Sequence, residues 1–291
     1  MVNKNASDWV QLQCNYNKIK LKKMINQLKR PPVFIFLLLL FIVLFGPLLA
    51  PYDPLEPRPM NTLEAPSLEH WFGTDNYGFD VLSRVLYAAQ IDFSLSLVGV
   101  LIGGGIGSLL GATAAYKGGI TDFLLLRFVE VVQSFPVLLF ALALFAAIGG
   151  GSKNMILAIA IVNVPMYLRI IRSSLLPLRT AEFIDAARCA GLNGFIIVIK
   201  HFIPNAKGQI FSLFVLSCAY AIQIIAGLSF IGLGVEPPHP EWGSMINAGA
   251  GYLMLGVWWP SVFPGLAIVI SVYTINSLSR QQMTDHIRTT V

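Results

Sequence analysis

The sequence predicts an all-α membrane protein with six transmembrane helices and both termini on the cytoplasmic side. Its 291 residues are 55% hydrophobic and only 12% charged, with a mean hydropathy of +0.68. Uncharged runs occupy 33–50, 93–116, 131–152, 154–168, 208–235 and 242–279. A helix needs roughly 20 apolar residues to cross the hydrocarbon core, and lipid offers backbone N–H and C=O groups no partner outside their own helix. With the N-terminus inside, 17 of the 20 Lys and Arg fall on the cytoplasmic side, leaving only Arg58, Arg84 and Lys153 outside. Basic residues gather on that side of membranes, so the net charge of +5 reports topology and does not indicate nucleic-acid binding.

Each element follows in chain order. Residues 1–32 read as a basic cytoplasmic tail closed by Arg30-Pro31-Pro32. The first span, 33–50, reads as a retained anchor, because a cleaved signal peptide has a shorter polar lead and a small residue where Leu48 stands. The external segment 51–91 opens extended through Pro51, Pro54, Pro57 and Pro59. Trp71 and Phe72 suit the headgroup boundary, and Asp80-Val81-Leu82-Ser83-Arg84 begins an interfacial helix. The transmembrane unit proper covers 92–279. Its spans are expected at 93–116, 123–148, 154–172 (with Arg169 snorkelling to the headgroups), 208–234 and 257–278. A polar insert, 173–207, an external loop, 235–256, and a cytoplasmic tail, 280–291, complete the chain.

Within the spans, Gly99, Gly103, Gly107 and Gly111 form a stripe four residues apart, suited to close helix packing or to lining a path. Arg127 and Glu130 share a helix face near one membrane surface, where an ion pair fixes depth or serves function. Pro136 kinks the third span. Glu236, His239 and Glu241 offer metal ligands, but Pro237, Pro238 and Pro240 leave the loop little freedom to wrap an ion, and no metal site is expected. Cys14, Cys189 and Cys218 are too scattered for a disulfide framework. The sequence holds no GxxxxGK[ST], GxSxG, HExxH or CxxC, so neither catalytic residues nor a cofactor are expected in this chain.

The insert changes grammar from apolar runs to capped helices. Thr180 is a candidate N-cap, and Glu182 and Asp185 suit the positive end of a helix dipole. Ala186, Ala187 and Ala190 keep one side slim, and Gly191 stands where a left-handed C-cap belongs. Asn193 caps a second helix, 194–202, whose Phe195, Ile196, Ile199 and Phe202 form an apolar face; Ile203-Pro204 then stops it. Such a pair either packs on its own bundle or docks a soluble partner.

Acid-Ala-Ala-x-x-x-Gly with a terminal Ile-Pro resembles the EAA loop of importer-type ABC transporter permeases. His70-Trp71-Phe72-Gly73-Thr74-Asp75, Asp80, Ser83-Arg84, Ser134-Phe135-Pro136, Leu228-Ser229-Phe230, Gly232-Leu233-Gly234 and Trp242-Gly243 resemble the dipeptide/oligopeptide/nickel subfamily, "C" subunit, from about 33 to 278. The resemblance implies a type I ABC importer permease fold in the bacterial cytoplasmic membrane. It implies that Glu182, Asp185, Ala186, Ala187, Gly191, Ile203 and Pro204 couple to an ATPase. The implied partners are a second homologous permease, two cytoplasmic ATPases holding ATP and Mg, and an external binding protein. Peptides are the implied cargo, with nickel, haem or another small solute as alternatives. An ion-coupled carrier is the competing class, and it needs intramembrane acids or broken helices near the midplane. The sequence departs from the family at Asp185, usually Glu, at Phe79, usually Arg, and in the tail after Asn276.

Overall fold

A computed structural model describes residues 31–235 and 238–290. Their regular structure is helical apart from one isolated bridge, Thr74 to Asp80. The tail before Pro31 lies outside the described residues, as do Glu236 and Pro237, the former a candidate ligand. The main helices are α1 (Pro31–Leu49), α2 (Val81–Lys117), α3 (Gly119–Gln133), α4 (Val137–Ile148) and α5 (Ser152–Leu175). After a 3-10 turn come α6 (Glu182–Cys189), α7 (Gly194–Ile197), a π-helical turn (Val198–Phe202), α8 (Ile203–Phe230), α9 (Trp242–Ala250) and α10 (Trp259–Thr290).

By length and composition, 4 helical stretches can cross a membrane: Val81–Lys117, Ser152–Thr180, Gly194–Phe230 and Trp259–Ser279. The α3–α4 pair makes a fifth if taken as one span, and Val33–Leu49 is a shorter apolar helix. The expected continuous helix over 123–148 is two helices bent by 93° at Ser134-Phe135-Pro136. Proline lacks the N–H the ladder needs and pushes the residue before it away from helical angles. Pro136 itself is extended, at ψ 129, so the chain leaves helix altogether instead of kinking.

The expected interfacial helix at Asp80 is also absent as a separate element. Asp80 accepts the Ser83 backbone N–H at 2.8 Å and caps a single helix of 37 residues that runs through the second span. At 1.5 Å per residue α2 is about 55 Å long.

The glycine stripe of α2 lies against α5, its most extensive partner. A Cβ at Gly99 would lie 2.7 Å from Ile159 Cγ2, and one at Gly107 or Gly111 would lie 2.6 Å from the carbonyl oxygens of Val164 or Leu168. At Gly103 it would run into the Ala160 carbonyl. From Gly103 to Gly111, about two turns, backbone therefore meets backbone, an approach open only to small residues. Gly105 faces open space.

At one end of α2 the external segment forms a polar knot. His70 Nδ1 and Asp80 Oδ1 are 2.9 Å apart, and the Tyr52 N–H donates to Ser83 Oγ. Asp75 accepts the N–H groups of Tyr77 and Phe79, and burial raises its pKa above the usual carboxylate value. Phe72 is half-buried and stacks on Phe263 at 3.9 Å, while Trp71 remains exposed. Trp259 Nε1–H donates to the Thr74 carbonyl, tying the knot to α10.

Beside this knot Glu241 caps α9, accepting from Gly243 and Ser244 N–H at 2.9 Å each, while the Trp242 N–H donates to Asp92 of α2. Glu241 and Asp92 are buried side by side. Burial pushes the Glu241 carboxyl above the usual range. Glu241 thus serves as a helix cap, not as a ligand beside the exposed His239, and no metal-binding cluster occurs among the described residues.

Two outcomes are expected. Gly103→Val lowers stability by about 1–3 kcal/mol through overpacking, read as a lower thermal midpoint of the purified protein, whereas Gly105→Val leaves the midpoint unchanged. Because Glu241 is raised in the fold, its contribution is present below the unfolded-state value of 4.5 and is lost as pH rises through the higher folded-state value. Glu241→Gln should flatten that pH dependence of the thermal midpoint.

Candidate functional site

The insert after α5 has two faces of opposite character. Ile184, Ala187, Ile197, Val198 and Phe202 are buried in the main core, and the Phe202 ring meets Tyr116 of α2 edge-on at 5.6 Å. Phe183, Leu192, Phe195, Ile196 and Ile199 are exposed. The single apolar face expected from Phe195, Ile196, Ile199 and Phe202 is thus split, with Phe202 inside and the other three outside. The short helix turns into a π segment before Phe202, which changes the angular spacing that the face assumed.

Local chemistry explains the shape. Ala181, not Thr180, is the N-cap of α6, and it makes no side-chain cap bond. Thr180 is drawn into the 3-10 turn that Leu176-Pro177 begins, its hydroxyl turned back toward the Pro177 carbonyl. Gly191 has φ +76, the Gly191 N–H donates to the Arg188 carbonyl and the Leu192 N–H to the Ala187 carbonyl, the bond pair of a left-handed helix C-cap. Asn193 Oδ1 accepts from the Phe195 N–H as expected of a cap.

Ile203-Pro204 does not stop the helix. The Ile203 N–H donates to Val198, five residues back, and α8 continues from there with Pro204 in its first turn. Slipping into π register absorbs the N–H that proline lacks, so the part of the insert from Gly194 onward and the following span are one continuous rod.

The predicted coupling residues fall on both faces. Glu182, Asp185, Ala186 and Gly191 are exposed, Pro204 is exposed at the head of α8, Ile203 is half-buried and Ala187 is buried. Asp185 pairs with Arg188 at 3.0 Å, and Arg188 lies 5.2 Å over the Tyr116 ring. A cleft of about 560 Å³ is bounded by Tyr116, Lys117, Arg179, Thr180, Asp185 and Arg188.

Arg127 and Glu130 are paired as expected and well exposed, at 62% and 59%. A second pair was not anticipated from the sequence. Arg172, in the last turn of α5, grips Asp122, in the first turn of α3, through both its Nε and Nη2. Fifty residues separate them, and no spacing rule signals the contact.

Residues 105–284 match the profile of the family described as binding-protein-dependent transport system inner membrane component. The chain belongs to that family. This permease is 36% identical over 262 residues to the dipeptide transport system permease protein DppC of Alkalihalophilus pseudofirmus, covering 89% of this chain and 84% of that one. It is 39% identical over 243 residues to the glutathione transport system permease protein GsiD of Escherichia coli O6:K15:H31, covering 83% and 80%. A chain of the inward-facing MetNI methionine ABC transporter superposes with a TM-score of 0.52 at 18% identity, over 68% of this chain and 94% of that one, which shows the fold alone. As an inner-membrane component of a binding-protein-dependent transporter, the permease works with a binding protein and ATPase subunits.

Gly191→Ala should strain the insert by roughly 1–2 kcal/mol, the cost of a left-handed conformation for an L residue. Amide hydrogen exchange is expected to quicken across 182–192 and to stay unchanged in α2 and α5.

Proposed function

We propose that this permease forms half of the translocation pathway of an ATP-driven peptide importer, with 173–207 as the segment that couples it to an ATPase. In this reading α1 and the bent α3–α4 pair also cross the bilayer, giving the six spans of a type I importer with both termini cytoplasmic. A second homologous permease completes the pathway, and two cytoplasmic ATPases drive it. The observation that carries the reading is the exposed apolar side of the insert: Phe183, Leu192, Phe195, Ile196 and Ile199 stand in water on an element whose other side is locked in the core. The dipeptide and glutathione permeases among its relatives support peptides as cargo.

The mechanism follows from the rod. A soluble ATPase grips the outer face of the insert, and its closure on ATP displaces α6 and α7. Because α7 runs into α8 without a break, that displacement is delivered to a membrane helix rather than dissipated in a loop. The two access states then interconvert, provided the ATPase binds the insert differently in its nucleotide states, since only a differential interaction shifts an equilibrium. The chain itself hydrolyses nothing; the energy enters through the docked subunit.

Ala186 is exposed, so Ala186→Arg keeps the inner packing and obstructs only the outer face. The variant should assemble in the membrane, yet ATP-driven uptake in proteoliposomes should fall to background. Wild-type uptake by Ala186→Arg would overturn the coupling role, and uptake by the purified permease without ATPases would favour an ion-coupled carrier.

A further inference from the structure

Beside the α3–α4 break lies a cavity of about 420 Å³ between α3, α4, α5, α8 and α10. Its polar lining is Gln133, Asn163, Ser217, Tyr220, Gln223 and Asn276, set among Val132, Phe140, Met166 and other apolar side chains. The lining contains no carboxylate, ammonium, guanidinium, imidazole or thiol.

In the importer reading these carboxamides sit at membrane depth. Asn163 is at the middle of the 24-residue α5, and Gln133 ends α3 at the break itself. Amide side chains on a lipid-facing surface lack partners, and irregular backbone at that depth is tolerated only inside protein or along a water-filled space. Gln223 is exposed on α8 and Asn276 half-buried on α10, and in the importer reading the face they share is turned toward a polar path, not toward lipid.

The hydrogen-bonding capacity is only partly used. Asn163 donates to the Ile159 carbonyl at 2.8 Å and Gln223 to the Ala219 carbonyl at 3.2 Å, each leaving its amide oxygen and a second N–H free. Gln133 accepts from Arg169 at 3.1 Å and keeps its NH₂. Ser217 of the lining and the neighbouring Tyr167 bring buried hydroxyls together, and neither reaches hydrogen-bonding geometry with a described group. The site therefore offers neutral donors and acceptors in nearly equal number. A peptide group presents the same pair, one N–H and one C=O. A bare metal ion finds no anionic or imidazole ligand here.

We propose that this cavity is the chain's own share of the cargo passage, where Gln133, Asn163, Gln223 and Asn276 hold peptide groups by neutral hydrogen bonds and do not read side-chain charge. The inference rests on the importer reading above and names the specificity-determining residues of that pathway.

The complete transporter, with its second permease, ATPases and binding protein, is reconstituted in proteoliposomes. ATP-driven uptake of Ala-Ala-Ala, Ala-Lys-Ala and Ala-Asp-Ala is measured at saturating binding protein. Wild-type rates should agree within about threefold, and Gln223→Leu together with Asn276→Leu should slow all three by about tenfold, the worth of lost hydrogen bonds. Gln223→Glu should instead slow Ala-Asp-Ala relative to Ala-Lys-Ala by at least about tenfold, because like charges repel strongly away from bulk water. Wild-type yield of assembled complex shows that each variant folds. Full-rate uptake by the Leu variant, an unchanged Asp-to-Lys ratio in Gln223→Glu, or a wild-type bias above tenfold would overturn the proposal. ATP-driven uptake of none of the three by wild type would overturn the peptide-cargo reading, and the inference with it.

Discussion

The closeness of α2 to α5 governs the rest of the molecule. Lipid is as apolar as leucine, so helices in a bilayer gain little from hiding apolar surface and depend on dispersion contacts between surfaces that fit. The stripe from Gly99 to Gly111 removes the side chains that would hold the two helices apart, and the α5 carbonyls occupy the vacated space. Once those axes are fixed, the positions of Asp92 toward one end of α2 and of Tyr116 and Lys117 at the other are fixed as well. The remaining helices assemble against this pair.

The two ends of α2 are finished in different ways. At the external segment, buried polar groups do the fastening: His70 with Asp80, the indoles of Trp242 and Trp259 on backbone carbonyls, and Glu241 over the start of α9. Such directional bonds hold one arrangement and make alternatives costly. At the insert the fastening is apolar and one-sided, built from Ile184, Ile197 and Phe202. Apolar contacts are non-directional, so this end tolerates small shifts of the insert against the bundle. The end of α2 at the polar knot is therefore stiff, and the end at the insert more yielding.

Much of this was legible in the sequence where local rules govern. Uncharged runs mark most of the spans, the four-residue glycine spacing marks one helix face, and Gly191 and Asn193 occupy cap positions that only a few residue types fill. Contacts set by tertiary packing left no such trace. Nothing near Asp92 announces Glu241 about 150 residues away, and Asp122 and Arg172 each read as an ordinary charge at a helix end. The helix start at Asp80 is legible, but its continuity with the apolar run from 93 is not, because Arg84 and Asp92 interrupt that run without interrupting the helix. Proline was misjudged twice, in opposite directions: Pro136 ends its helix where a kink was expected, and Pro204 is absorbed where a stop was expected. Whether proline breaks or merely bends depends on what can take over the freed backbone groups, which is decided by neighbours. The carboxamides at 133, 163, 223 and 276 come from four helices, and only folding gathers them.

The π turn at Val198–Phe202 carries a further implication for how this stretch can evolve. Segments outside a bilayer ordinarily gain and lose residues freely, since a slack connection hides the change. Here the connection is helical into α8, and each residue added or removed would turn everything after it by about 100°. Ile222, Ile225 and Leu228, now buried, would swing out and the lipid-facing side would swing in. The stretch from Gly194 into α8 is therefore as tightly constrained in length as any helix interior, and variation has to enter by substitution.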